Sequence, residues 1–330
     1  HPVLYGVKER ETASAVTEIA RAATSSSSSP EQLKATLDQL SKAAQAAGPT
    51  GAKALGAQFA KGLPPSIGGF DKLGDLPIPK GPISAALLNS VLTGPGMGDF
   101  VAGMVEGAKA AGNPILLGEL RQLVEGSSAL AVRAFEAAKT KVDQLDSELN
   151  ALVNGFGPGS DPAELQAAVN SFKERHKDEY AKFEAAGAAL TNAVALAGPM
   201  LELSPGLDTL VNLKKVIELA PSALQTAAGQ QALGNALEAQ SRGEPSMLDT
   251  LARFSEGEDG EEARAQLMPA ITQAIGSRSA TLIAEGRPED ADKLIDTLGK
   301  NAALFGVDPA QLEDVETALH GALGGAPDAL

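Results

Sequence analysis

Between Phe135 and Leu152 two interleaved sets of apolar residues recur every seven positions: Phe135, Val142 and Leu149, then Ala138, Leu145 and Leu152. Such spacing is the a/d seam of a helix that buries one stripe. Lys139, Lys141, Asp143, Gln144, Asp146 and Glu148 lie between and belong to the wet face. The run from Asn154 to Gly159, with three glycines and Pro158, must end that helix, because proline cannot supply an interior hydrogen bond and glycine suits a helix C-terminus. Asp161 then offers an N-cap, Pro162 a first helical position and Glu164 a charge that complements the dipole. Apolar positions continue in steps of three or four from Leu165 through Val169, Phe172, His176, Tyr180, Phe183, Gly187, Leu190, Val194 and Ala197, up to Gly198 and Pro199. The pattern predicts one antiparallel helical hairpin over Ser127–Pro199, its second arm an unbroken helix of about 37 residues, ~55 Å long.

Eight residues of the two arms form the candidate interaction or packing seam: Phe135, Val142, Leu145, Leu149, Phe172, His176, Tyr180 and Phe183. His176 stands among Lys173, Glu174, Arg175, Lys177, Asp178 and Glu179 and reads as a partly exposed histidine rather than a polar seam residue that fixes register. Gly187, flanked by Ala185, Ala186, Ala188 and Ala189, predicts a third helix crossing at close range.

The rest of the chain reads as shorter helices, giving an all-α fold: a multi-helix bundle around the hairpin, with stacked helix pairs at the C-terminus. Residues 1–29 hold a weak helix and the serine run Ser25–Ser29, read as a linker. Residues 30–126 begin with two amphipathic helices, one carrying Leu33, Leu37 and Leu40, the other Leu55 and Phe59. The Pro/Gly-rich stretch 62–82 forbids any regular element of length and should wrap the helical body, since Leu63, Ile67, Phe70, Leu73, Leu76 and Ile78 punctuate it. Ile83–Glu125 is the most apolar part, cut by Gly94, Pro95, Gly112 and Pro114 into three short helices. Within it Gly103 and Gly107 form a small-xxx-small pair, read as buried core rather than a membrane segment. The hairpin occupies 127–199 and a short-helix region 200–330, whose helices are expected to open at Pro205, Pro221, Pro245, Pro288 and Pro309. The whole suggests two poorly separated halves.

In the last region Leu282 and Ile283 precede Gly286, and Leu294, Ile295 and Leu298 follow Pro288. The stretch Ala280–Leu298 resembles a single tetratricopeptide-type helix pair, with no second copy at a fixed period, and implies helix stacking alone.

Charge and chemistry narrow the function. Forty-two acidic against 27 basic side chains give a net charge of −15, which opposes binding to nucleic acid or an anionic membrane. The absence of cysteine excludes disulfides, thiolate zinc sites and cysteine nucleophiles. Gly51–Gly56 imitates a phosphate loop but continues with Ala57 and Gln58 where lysine and a hydroxyl are needed. The acidic run Glu256–Glu262 does not match a calcium loop. His1, His176 and His320 lie far apart, and His320 reads as a helix-end residue. No catalytic, cofactor-binding or metal residue is therefore nominated, and no cofactor is expected. The expectation is a noncatalytic helical interaction or scaffold protein with a protein partner, or a homodimer, and no nucleic acid. The rival is an exported bacterial effector, translocator or helical pore-forming toxin acting at a membrane. A chain that starts at His1 fits a soluble protein, cytoplasmic or exported after signal removal.

Overall fold

In the computed structural model the described residues are 30–62, 70–73, 76–79, 94–157, 160–203, 211–244, 246–254 and 260–301, with 317 and 321. Helix α1, Pro30–Gly62, bends at Gly48, whose φ of 69° and ψ of −178° are open only to glycine, and Pro49 follows. The bend divides α1 into the two amphipathic segments that the sequence suggests. Strands β1, Phe70–Leu73, and β2, Leu76–Pro79, pair antiparallel with Phe70 opposite Pro79 and Leu73 opposite Leu76. This two-stranded ribbon is the one regular element described in the Pro/Gly-rich stretch, and β2 lies against the long helix α3 described below. Proline is tolerated there because a two-stranded pair leaves outer N–H positions unused.

Helix α2, Met97–Ala110, is buried on nearly every side. It touches α1 through glycines: a Cβ at Gly103 would overlap the carbonyl oxygen of Lys53, and one at Gly56 would overlap that of Phe100. The Phe59 and Phe100 rings close the same contact at 5.4 Å. Gly51–Gly56, the phosphate-loop imitation, is therefore helix, pressed on α2.

Helix α3, Pro114–Asn154, starts with the Asn113 carbonyl oxygen of the side chain accepting from the Leu116 N–H at 3.1 Å. The first arm thus begins at Pro114 rather than Ser127, and the third of the expected short apolar helices is its opening part, with Leu116, Leu120, Leu123 and Val124 buried. Asp161 caps α4, Pro162–Arg175, accepting from the Ala163 N–H at 2.9 Å. The second arm is not one helix. His176, at φ −112° and ψ 16°, separates α4 from α5, Lys177–Leu203. Gly198 and Pro199 do not stop α5, which runs on to Leu203.

Helices α6 (Val211–Ala223), α7 (Ala227–Ser241), α8 (Met247–Phe254), α9 (Gly260–Ala284) and α10 (Pro288–Asn301) complete the described chain. Pro221 sits near the end of α6 instead of opening a helix, and Thr226 caps α7 by accepting from the Gly229 N–H at 3.1 Å. Ser246 and Asp249 cap the start of α8 reciprocally, the hydroxyl accepting from the Leu248 N–H and the carboxylate from the Ser246 N–H. Leu282 and Ile283 lie on α9 together with Leu267, Ile271 and Ile275, so the tetratricopeptide-like pair has a first helix of 25 residues. Pro288 does open α10. Among the start prolines, Pro205, Pro245 and Pro309 lie outside the described residues, as do Ser25–Ser29, His1, His320 and Glu256–Asp259.

Helix α5 is the spine, touching α2, α3, α4, α6, α7 and α8. Its Leu190, Ala193 and Val194 enter a core shared with Phe135 of α3, Val216 of α6, Leu233 and Leu237 of α7, Leu248 of α8, Ile271 and Ile275 of α9 and Leu294 of α10. The fold is all-α apart from the small ribbon.

Candidate interaction surface

The eight seam residues fall into two groups. Phe135, Val142, Leu145 and Phe172 are buried, while Leu149, His176, Tyr180 and Phe183 are half-buried. Phe135 and Phe183 stack with ring centroids 5.3 Å apart and planes at 29°, joining α3 to α5. The Tyr180 hydroxyl donates to Asp146 at 3.0 Å, a second tie between the same helices. Burial, then the hydrogen bond to Asp146 and its charge, push the Tyr180 phenol up to about 12. The His176 imidazole lies 4.6 Å from the Phe172 ring, and the Arg175 guanidinium stands over that same ring at 5.8 Å from its centroid. These contacts use the seam internally, so the surface open to a partner lies beside it.

That surface is a groove of about 750 Å³ between α3 and α5. Ala134, Ala137 and Ala138 supply one wall and Ala185, Ala186 and Ala189 the other, with Leu130, 36% exposed, at its edge. Lys141, Lys182 and Glu179 line it as well. Alanine walls let a third helix approach closely, toward the short end of the roughly 8–10 Å interaxial range. The sequence signal for it is Leu130, Ala134, Ala137, Ala138 and Lys141, spaced at helical steps, but alanine is also a default helix former and so does not advertise a surface. At Gly187 the helix that approaches is α7, by its first turn: a Cβ there would meet the Thr226 side chain, and the Ala227 N–H donates to Glu184 at 2.7 Å.

The strongest charge cluster is elsewhere. Glu238 on α7, nearly buried, accepts from Arg278 of α9 at 2.7 and 3.0 Å, from Arg242 at 3.1 Å and from Arg287 at 3.3 Å. Burial pushes the Glu238 carboxyl up, but the hydrogen bond and charge of Arg278, aided by Arg287 and Arg242, outweigh it and hold the group below its ordinary value. Glu244, Glu285 and Asp290 face the same arginines, Lys293 pairs with Asp290 at 3.4 Å so that four bases meet four acids, and Thr50 of α1 donates to Glu244 at 2.7 Å. The cluster is charge-balanced and already filled with its own partners, which makes it a bracket across α7, α9 and α10 rather than an anion site.

Among the described residues no group of three histidine, cysteine or acidic side chains converges as a metal site, and no helix is long and apolar enough to cross a membrane. No family model, curated protein or solved structure matches the chain.

Proposed function

We propose that the chain is a noncatalytic helical interaction or scaffold protein that receives an amphipathic helix of a protein partner between α3 and α5. The observation that carries this reading is the alanine-walled groove with Leu130 at its edge and lysines on both sides. A helix with a narrow apolar stripe flanked by acids matches that lining, by the groove-binding mode in which anchors fall at i, i+3, i+4 and i+7.

The test is photocrosslinking from a reactive residue placed at Leu130 or Ala185, with Gln166, exposed on α4, as the control position. A discrete adduct at the groove positions, absent at Gln166 and lost in Ala137→Arg, supports the reading. Ala137 is exposed, so the longer side chain fills the groove without entering the core. Adducts that are equal at all three positions, or unchanged by Ala137→Arg, overturn it. An adduct of twice the chain mass identifies the partner as a second copy. The exported, membrane-acting reading separates from this one in light scattering with liposomes, where it alone requires association with lipid.

A further inference from the structure

Where the bend of α1 meets the first turn of α2, the middle of α5 and the first half of α7, the helices leave a cavity of about 110 Å³. Its size lies below the ~150 Å³ that encloses a benzene ring and well above the ~30 Å³ share of one water in the liquid. Six alanines, two prolines and Met247 supply the apolar part of its wall. The polar part is more telling. Asp99, half-buried in the first turn of α2, is the one charged side chain among the described lining residues, and it makes neither hydrogen bond nor ion pair to another described residue. Gln45 of α1 and Asn235 of α7 line the same space, also without a hydrogen bond to a described residue. Thr191 and Asn192, by contrast, spend polar atoms on the carbonyls of Gly187 and Gly94.

We propose that this cavity binds a small organic cation bearing N–H donors, of the size of a short primary alkylammonium, with Asp99 as counter-charge and the side-chain oxygens of Gln45 and Asn235 as acceptors. A carboxylate disfavours an anion, and among the described residues no lysine or arginine lines the space to reverse that. A bare metal ion would need several anionic or histidine ligands, and among the described residues a single acid lines the space. An ammonium needs one counter-charge, two or three acceptors and an apolar wall for its alkyl stem, which is what the lining supplies. The chain's net charge of −15 also enriches cations near its surface.

Asp99 feels burial first, which raises its pKa to about 6, with Lys53 of α1 opposing and Glu106 of α2 reinforcing the shift. The other lining elements, α5, α7 and the start of α8, present uncharged side chains to it. Binding is therefore expected to weaken as pH falls through about 6, where the carboxyl takes up a proton.

The experiment is a titration of the full chain with n-propylammonium, read by NMR on the side-chain amides of Gln45 and Asn235 at neutral pH. Neutral n-propanol and equimolar sodium chloride serve as controls. Saturable shifts with n-propylammonium alone, weakened at least about tenfold in Asp99→Asn, are expected, since a hydrogen-bonded charge is worth more than ~1.4 kcal/mol. Asn keeps the shape and removes a desolvated charge, so that variant folds, and its thermal unfolding confirms it. Linear shifts, equal saturation by n-propanol, or undiminished affinity in Asp99→Asn would overturn the assignment. None of these results depends on the groove between α3 and α5.

Discussion

A single methyl group separates two kinds of glycine in this chain. Gly103 faces the backbone of α1, and a Cβ there collides with the Lys53 carbonyl, so Gly103→Ala should cost about 2 kcal/mol or more. Gly118 lies exposed within α3 with nothing near its missing Cβ, and Gly118→Ala should gain up to about 1 kcal/mol. Urea unfolding of both variants tests the opposite signs. Two carboxyls likewise act in opposite directions on pH dependence. Asp99 has a folded pKa of about 6 against an ordinary 3.8, so the fold is penalised as pH rises between them. Asp99→Asn should match the parent below pH 3.8 and exceed it above about 6, by on the order of 1 kcal/mol. Glu238 is held below its ordinary 4.5, so its contribution is present above that pH and lost as pH falls through the folded value. Glu238→Gln should cost roughly 2 kcal/mol at neutral pH and progressively less in acid, a slope that denaturant midpoints across pH will reveal.

At the scale of elements, the start of α7 is the sharpest test. Thr226 accepts the Gly229 N–H and donates to the Ala223 carbonyl at 2.6 Å while buried against Gly187. Thr226→Ala should destabilise by about 1 kcal/mol, with Thr226→Ser recovering most of it because the hydroxyl survives; thermal melts of the pair decide the point. This cap also shows which signals the sequence carries. Asp161 and Pro162, and Pro288, were legible because their effect is local: a cap and a fixed φ act on the next turn whatever lies around them. Pro221 misled because tertiary contacts keep α6 intact past a missing N–H, and the Ala280–Leu298 pair hid a longer helix for the same reason, α9 running through Pro269 in its interior. His176 carries no local breaker at all, so the interruption between α4 and α5 was not written in propensity. The alanine groove was invisible for a different reason: a residue favoured everywhere in helices marks no particular face.

At the scale of the molecule, the all-α class followed from helical periodicity, whereas the role of α5 as the element common to six neighbours is a property of three-dimensional assembly. A net charge of −15 places mutual repulsion on a fold whose best charge cluster is neutral. Raising salt from about 10 to about 150 mM shortens the screening length from ~30 to ~8 Å and should raise the melting temperature, the reverse of what loss of surface ion pairs alone would give. Calorimetry across that range reads the sign.

The bond from Tyr180 to Asp146 has an optical consequence. The chain has no tryptophan and two tyrosines, of which Tyr180 is the one within the described residues. Its phenol, pushed up to about 12 by its seat between α3 and α5, stays un-ionised in mild alkali while those helices remain together. Ultraviolet difference spectra between about pH 10 and 12 therefore give a label-free gauge of whether a visitor in the neighbouring groove leaves the two helices docked or prises them apart.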